Sequence, residues 1–196
     1  GDPPEALGRR LESGGRRVIF SGDLGRANDL LMRPPAPPGD PDWVVIESTY
    51  GDRLHPDVDP FEALASVLTR TLERGGILLI PSFAVGRAQT LLYCFHEIFR
   101  RGMAREVPVY VNSPMATDVT ELFWRPLEYH RLSAAMCGSV CAVARFTRSP
   151  DESRALTERR DPAVVISASG MASGGRVLHH LRALAPEARH TILFPG

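Results

Sequence analysis

Short apolar runs rich in β-branched residues recur along the chain at 17–20, 43–46, 77–80, 107–111, 163–166 and 191–194. They are continuous rather than alternating, the pattern of strands covered on both faces in a parallel sheet. Between them lie amphipathic stretches with helix start signals. Asp59-Pro60-Phe61-Glu62 sets a capping acid before a proline at the first helical position, with a glutamate three residues after the cap. The helix it opens is expected to end at Gly75-Gly76, with Arg74 suited to the negative end of the dipole. Ser149-Pro150-Asp151-Glu152 repeats that signature for a shorter helix, and 86–101, 115–124 and 173–184 complete the helical set. Strand–helix–strand repetition predicts an α/β fold, an open and mostly parallel sheet with helices on both faces. Two segments depart from the pattern. Positions 31–41 (LMRPPAPPGDP) read as a proline-rich surface loop, and 126–141 have no clean period and read as irregular helix and loop.

With 196 residues, 43% hydrophobic and 23% charged, the chain suits one ordinary domain or one domain with part of a second, and general disorder is excluded. No apolar run approaches the roughly 20 residues of a membrane helix, and the amino end GDPPEALGRR lacks the apolar segment of a signal peptide. A soluble, cytoplasmic protein with no membrane partner is expected. Basic and acidic residues balance at 23 each, so any anion site must be local. There is no lysine, which excludes a P-loop and a lysine Schiff base. Arginine in every cationic position fits either the base composition of the gene or a need for guanidinium. Cys94, Cys137 and Cys141 lack C-x-x-C spacing and read as packed thiols in a reducing compartment. The chain opens without methionine and stops just after the strand-like HTILFPG, so a fragment is expected.

Chemistry concentrates after the strands. Ser21-Gly22-Asp23-Leu24-Gly25-Arg26, Glu47-Ser48-Thr49-Tyr50-Gly51-Asp52-Arg53, Pro81-Ser82-Phe83-Ala84-Val85-Gly86-Arg87 and Asn112-Ser113-Pro114-Met115-Ala116 follow four of them. Phe146-Thr147-Arg148-Ser149 follows a short strand, and the run from Ser167 through Ser169 to Arg176 follows another. In a parallel sheet such loops share one edge, the usual ligand crevice. Free backbone N–H groups, hydroxyls and guanidinium together are what a phosphate chain requires. Any one loop by itself reads first as turn chemistry with a solvated arginine; the set converging on one edge reads as an anion crevice.

The remaining chemistry is thinner. His179 and His180 leave a helix about 100° apart, so they cannot both serve one face. No H-x-H, H-E-x-x-H, G-x-S-x-G or G-x-G-x-x-G pattern occurs, which argues against a complete metal site from this chain, a serine hydrolase and a dinucleotide site. Asp23 and Glu47 are the two carboxylates directly at strand ends, positions that turn formers and caps also occupy.

In order, FSGDLGR, IESTYGDRLH, IPSFAVGRAQTLL, VNSPMATDVTELF and SASGMASGGRVLHHL resemble the β-CASP branch of the metallo-β-lactamase fold. That branch includes RNA-processing nucleases related to the cleavage and polyadenylation endonuclease subunit and RNase J. The resemblance runs from about Arg16 to the end and is loosest over 126–143. It implies that 1–50 are strands and linker of a partial metallo-β-lactamase domain, 51–190 a β-CASP domain, and 191–196 the start of the return. It also implies that Asp23 bridges two zinc ions, and that Glu47 supports the site by hydrogen-bonding a histidine. Arg53, Ser82, Arg87, Ser113, Ser169 and Arg176 would then contact the backbone of RNA entering under the cap.

The family's H-x-H-x-D-H signature and its later histidine motifs are not in the chain, which leaves Asp23 as its one recognisable ligand. The expectation is therefore part of a zinc-dependent RNA nuclease that hydrolyses phosphodiester bonds and is inactive in isolation. The alternative is a non-catalytic module that binds RNA or a partner; a small-molecule ester hydrolase on the same fold is a third reading. A homodimer or a related non-catalytic subunit is compatible with either of the first two.

Overall fold

Gly14 and Gly15, at φ +59° and +75°, occupy the left-handed region that a two-residue hairpin turn demands. They return β1 (Arg9–Ser13) antiparallel onto β2 (Arg16–Phe20), which runs parallel to β3 (Trp43–Val45) with Phe20 opposite Val45. The computed structural model describes residues 9–23, 25, 28–35, 37, 39–54, 57–125 and 130–195. Arg26, expected in a loop of the site, and 126–129, expected to be irregular, lie outside them.

The three-stranded sheet belongs to a first unit, made of the described residues up to Asp57 together with 130–132. There Asp29 Oδ1 accepts from the N–H groups of Leu31 and Met32 at 2.8 and 2.7 Å, and Leu31 is buried. Met32 bridges His130, and Arg131 N donates to Leu31 O at 2.8 Å. β3 corrects one expectation. Trp43, Val44 and Val45 are 50–60% exposed, so their continuous apolar run is not sealed on both faces. The described residues of this unit include no helix to cover them.

The second unit comprises the described residues of 58–125 and 133–195. α1 (Pro60–Glu73) starts as its sequence dictates, with Asp59 Oδ1 accepting from Phe61 N at 2.7 Å and Glu62 N at 3.3 Å. It ends with Gly75 N donating to Leu72 O and Gly76 N to Thr71 O, the paired bonds of a Schellman ending. Gly76 also answers to space, because a Cβ there would lie 1.9 Å from Arg189 O. β4 (Ile77–Pro81), α2 (Arg87–Arg100), β5 (Val109–Asn112), α3 (Pro114–Phe123), α4 (Ala134–Ala142) and β6 (Ala144–Phe146) follow. α5 (Pro150–Thr157), β7 (Ala163–Ser167), α6 (Val177–Leu184) and β8 (Thr191–Ile192) complete the unit.

The five strands are parallel in the order β6-β5-β7-β4-β8, the α/β sheet expected. β4 and β7 are buried along their whole length. Ile77, Leu79 and Val165 pack with Leu156 of α5 and with Val177 and Leu184 of α6. The alternate residues Leu78, Ile80, Val164 and Ile166, equally buried, face the layer of α1 to α4. Two helix limits differ from expectation. Part of the stretch read as irregular is α4, whose AAMCGSVCA is small and apolar all round and so shows no period. α6 begins at Val177 rather than 173, because 168–176 form a tight loop: Ser169 N donates to Gly174 O, and Val177 N to Ala168 O.

Cys94 and Cys137 are buried, and the three cysteines are free thiols. Burial pushes the Cys94 thiol up to about 12, so it packs rather than reacts. No helix among the described residues is long and apolar enough to cross a membrane.

Candidate functional site

Strand order decides where a ligand crevice opens in the second unit. From β5 the chain passes to β6 on one side, and from β7 it passes to β8 on the other. The two connections diverge between the carboxyl ends of β5 and β7, a topological switch point. Asn112 pairs with Ser167 at that spot, and Ser167 Oγ donates to Asn112 O at 3.1 Å.

Five of the sequence-predicted residues lie in or just after the loops of this edge. Ser82 directly follows β4; it is buried, its N–H donates to Ser167 O at 2.9 Å, and its Oγ donates to Phe83 O at 3.1 Å. Ser113 caps α3, its Oγ accepting from Ala116 N at 3.2 Å. Ser169 lies in the loop after β7, where its Oγ is shielded from solvent and meets no hydrogen-bond partner among the described residues. Gly170 beside it permits close approach to the β4 loop, since a Cβ there would sit 2.8 Å from Phe83 N and 2.9 Å from its ring. Arg176, just before α6, donates from Nη1 to Asn112 Oδ1 at 2.9 Å and Thr147 O at 3.1 Å, and from Nη2 to Arg148 O at 3.0 Å. Arg87 opens α2 with an exposed side chain.

The loop arginines are thus less available than their sequence positions suggest. Arg148 pairs with Asp118 at 3.4 Å and with Glu121, and the three bonds above hold Arg176. Arg53 belongs to the first unit, exposed, with its Nε 3.6 Å from Asp52.

Within the first unit, parallel pairing of β2 and β3 makes neighbours of the loops that carry Asp23 and Glu47. Ser21 N donates to Val45 O at 2.8 Å, and Glu47 N donates to Ser21 Oγ at 3.2 Å. Both carboxylates are exposed. Glu47 Oε2 accepts from Thr49 N at 2.8 Å, a local turn bond.

The site contains residues the sequence reading did not single out. Asn112 is fully buried and stands at the centre of the network; His180, 1% exposed, meets its amide at 2.6 Å. Burial first, then the nearness of His179 and Arg176, pushes the His180 imidazole down to about 4, so it is neutral. Helical spacing could have found it, since Val177, His180 and Leu184 recur on one buried face.

Comparison with known proteins gives this edge its context. The family described as the Beta-Casp domain matches residues 88–196, which include β5, β6, β7 and the switch-point loops. The chain is 37% identical over 93% of its length to "Ribonuclease TTHA0252" of Thermus thermophilus, of which it covers 43%. It is 31% identical to "Transcription termination factor FttA" of Methanosarcina mazei and 30% identical to "Endoribonuclease ysh1" of Schizosaccharomyces pombe, each over 95% of the chain. It spans 31% and 25% of those two relatives. A match over more than half the chain, on the segment that supplies four of the five strands of the parallel sheet, establishes that the protein belongs to the β-CASP family.

Proposed function

We propose that this chain is part of a zinc-dependent RNA nuclease hydrolysing phosphodiester bonds, in which the second unit holds RNA and Asp23 supplies a bridging metal ligand. The observation that carries the reading is the gathering of the β4, β5, β6 and β7 loops on one edge, in a member of this family. The unspent Ser169 hydroxyl adds to it, because a shielded polar group without a partner is one that a ligand can satisfy. Hydroxyls and backbone N–H groups there would hold and orient a phosphodiester chain, and positioning is a large part of catalysis in phosphate chemistry.

Among the described residues no three His, Cys, Asp or Glu side chains are grouped so as to hold a metal ion, whereas zinc takes three or four protein ligands. The chain alone is inactive in this proposal. RNA as partner and a cytoplasmic setting belong to the same reading.

The test uses the full-length protein. Wild type is expected to contain zinc and to cleave RNA, and Asp23→Ala to lose metal-dependent turnover. Full activity with unchanged zinc content in Asp23→Ala contradicts the assigned role. A zinc-free wild type that binds RNA without cutting it moves the protein to the non-catalytic reading.

A further inference from the structure

The sequence places Arg176 among residues that grip RNA through charge, yet its guanidinium faces inward. Nη1 donates to the Asn112 carboxamide oxygen at the end of β5 and to Thr147 O just after β6. Nη2 donates to Arg148 O, one residue further on. Arg176 itself ends the loop after β7. One planar fork therefore joins the end of β5 to the loops after β6 and β7, and a fork is a shape that an ammonium cannot reproduce.

The fork also settles what lies behind it. With its oxygen taken by Arg176, the Asn112 amide presents Nδ2 to Ser153 Oγ at 2.9 Å and to His180 Nε2 at 2.6 Å. An amide donor on Nε2 requires that nitrogen to be bare, so the ring proton sits on Nδ1, which faces Thr157 Oγ1 at 3.5 Å. Thr157 in turn donates to Ser153 O at 2.9 Å. A continuous run of bonds thus leads from the loops through Asn112 into α5 and α6. Two arms of Asn112 reach the core, and one holds the guanidinium.

We infer that Arg176 and Asn112 form an internal latch that fixes the loops after β6 and β7 against the end of β5 in one arrangement, and that Arg176 is a positioning residue, not an RNA contact. The consequence for RNA rests on the function proposed above; the ordering of the loops does not. A latch acts through shape, so loss of the uncharged Asn112 side chain and loss of the Arg176 guanidinium should give the same defect. A phosphate contact acts through charge, so lysine should largely replace arginine, and removal should flatten the salt dependence.

The experiment compares wild type, Arg176→Lys, Arg176→Ala and Asn112→Ala in the full-length protein by amide hydrogen exchange and by binding of a fluorescent single-stranded oligoribonucleotide across a salt series. In all three variants the amides of 147–149 and 168–176 are expected to exchange about tenfold faster or more, with β4 unchanged. RNA affinity is expected to fall about tenfold in each, Lys no better than Ala, with the wild-type salt slope and with kcat on saturating RNA kept. Should Asn112→Ala fail to fold, Arg176→Lys carries the test, because it keeps the charge and removes only the fork. Unchanged exchange in the loops overturns the latch. So does wild-type affinity in Arg176→Lys alongside a slope flattened by about one phosphate contact in Arg176→Ala. A wild type that binds no RNA, with loop exchange still raised in the variants, overturns the proposed function and leaves the latch standing.

Discussion

At the scale of single residues, His180 gives the sharpest prediction. It is buried and neutral in the folded protein, held at about 4, whereas an unfolded chain takes up the proton near 6.5. Between those values the unfolded state binds more protons, so the contribution is complete above about pH 6.5 and is lost as pH falls towards 4. The interval corresponds to about 3 kcal/mol. His190 is shifted down too, first by burial, and acts with the same sign. Glu97 does not share this window: hydrogen bonds from Arg100, then Arg101, hold its carboxyl at about 2, so its contribution fades only below the usual carboxylate range. Urea midpoints between pH 7 and 5 should fall in wild type, and His180→Gln should flatten much of that slope. The sequence showed a histidine pair divided between two directions, and the fold buries His180 while exposing His179. What it could not show was the company of Arg176. That depends on carbonyls at 147 and 148, brought near by strand order rather than by local pattern.

At the scale of elements, chain ends and crossings carry the predictions. Removing the Asp59 cap by Asp59→Ala should cost about 1 kcal/mol, since the N–H groups of Phe61 and Glu62 lose their acceptor. Gly76→Ala should cost more, about 3 kcal/mol, because its Cβ meets the Arg189 carbonyl instead of a side chain able to turn aside. Chemical denaturation of both variants checks the order of the two effects. Caps were legible in advance because their chemistry is local: Asp59 behaves as written, and Ser149 with Glu152 makes both bonds of a capping box. β1 was not legible, since RRLES is polar and declares itself only through the Gly14-Gly15 turn behind it. α4 escaped for the opposite reason, as a helix of small apolar residues presents no polar face to count. Asp23 and Glu47 stood out because each is the first carboxylate after an apolar run, and parallel pairing of β2 with β3 makes neighbours of their loops.

At the scale of the molecule, two sheets of unlike quality occur in one chain. β4 and β7 are fully buried, whereas the side chains of β3 are at least half exposed. Hydrogen exchange should register the contrast, with amides of 163–167 outlasting those of 43–45 by about a hundredfold or more. Equal protection would mean that β3 is covered in solution by something that the described residues lack. The class of the larger sheet followed from its strand and helix spacing, but its order did not: nothing in a local pattern tells β7 to enter between β5 and β4.

That insertion bears on how the chain is made. Of this sheet β4 and β5 leave the ribosome first, yet they are not partners, because the slot between them belongs to β7, which begins 86 residues after β4 does. Until Ala163–Ser167 emerges, the nascent sheet has no middle, and its most apolar strand waits with both hydrogen-bonding edges open. Such a chain gains its cooperativity late and all at once, and its helices must shelter β4 in the meantime.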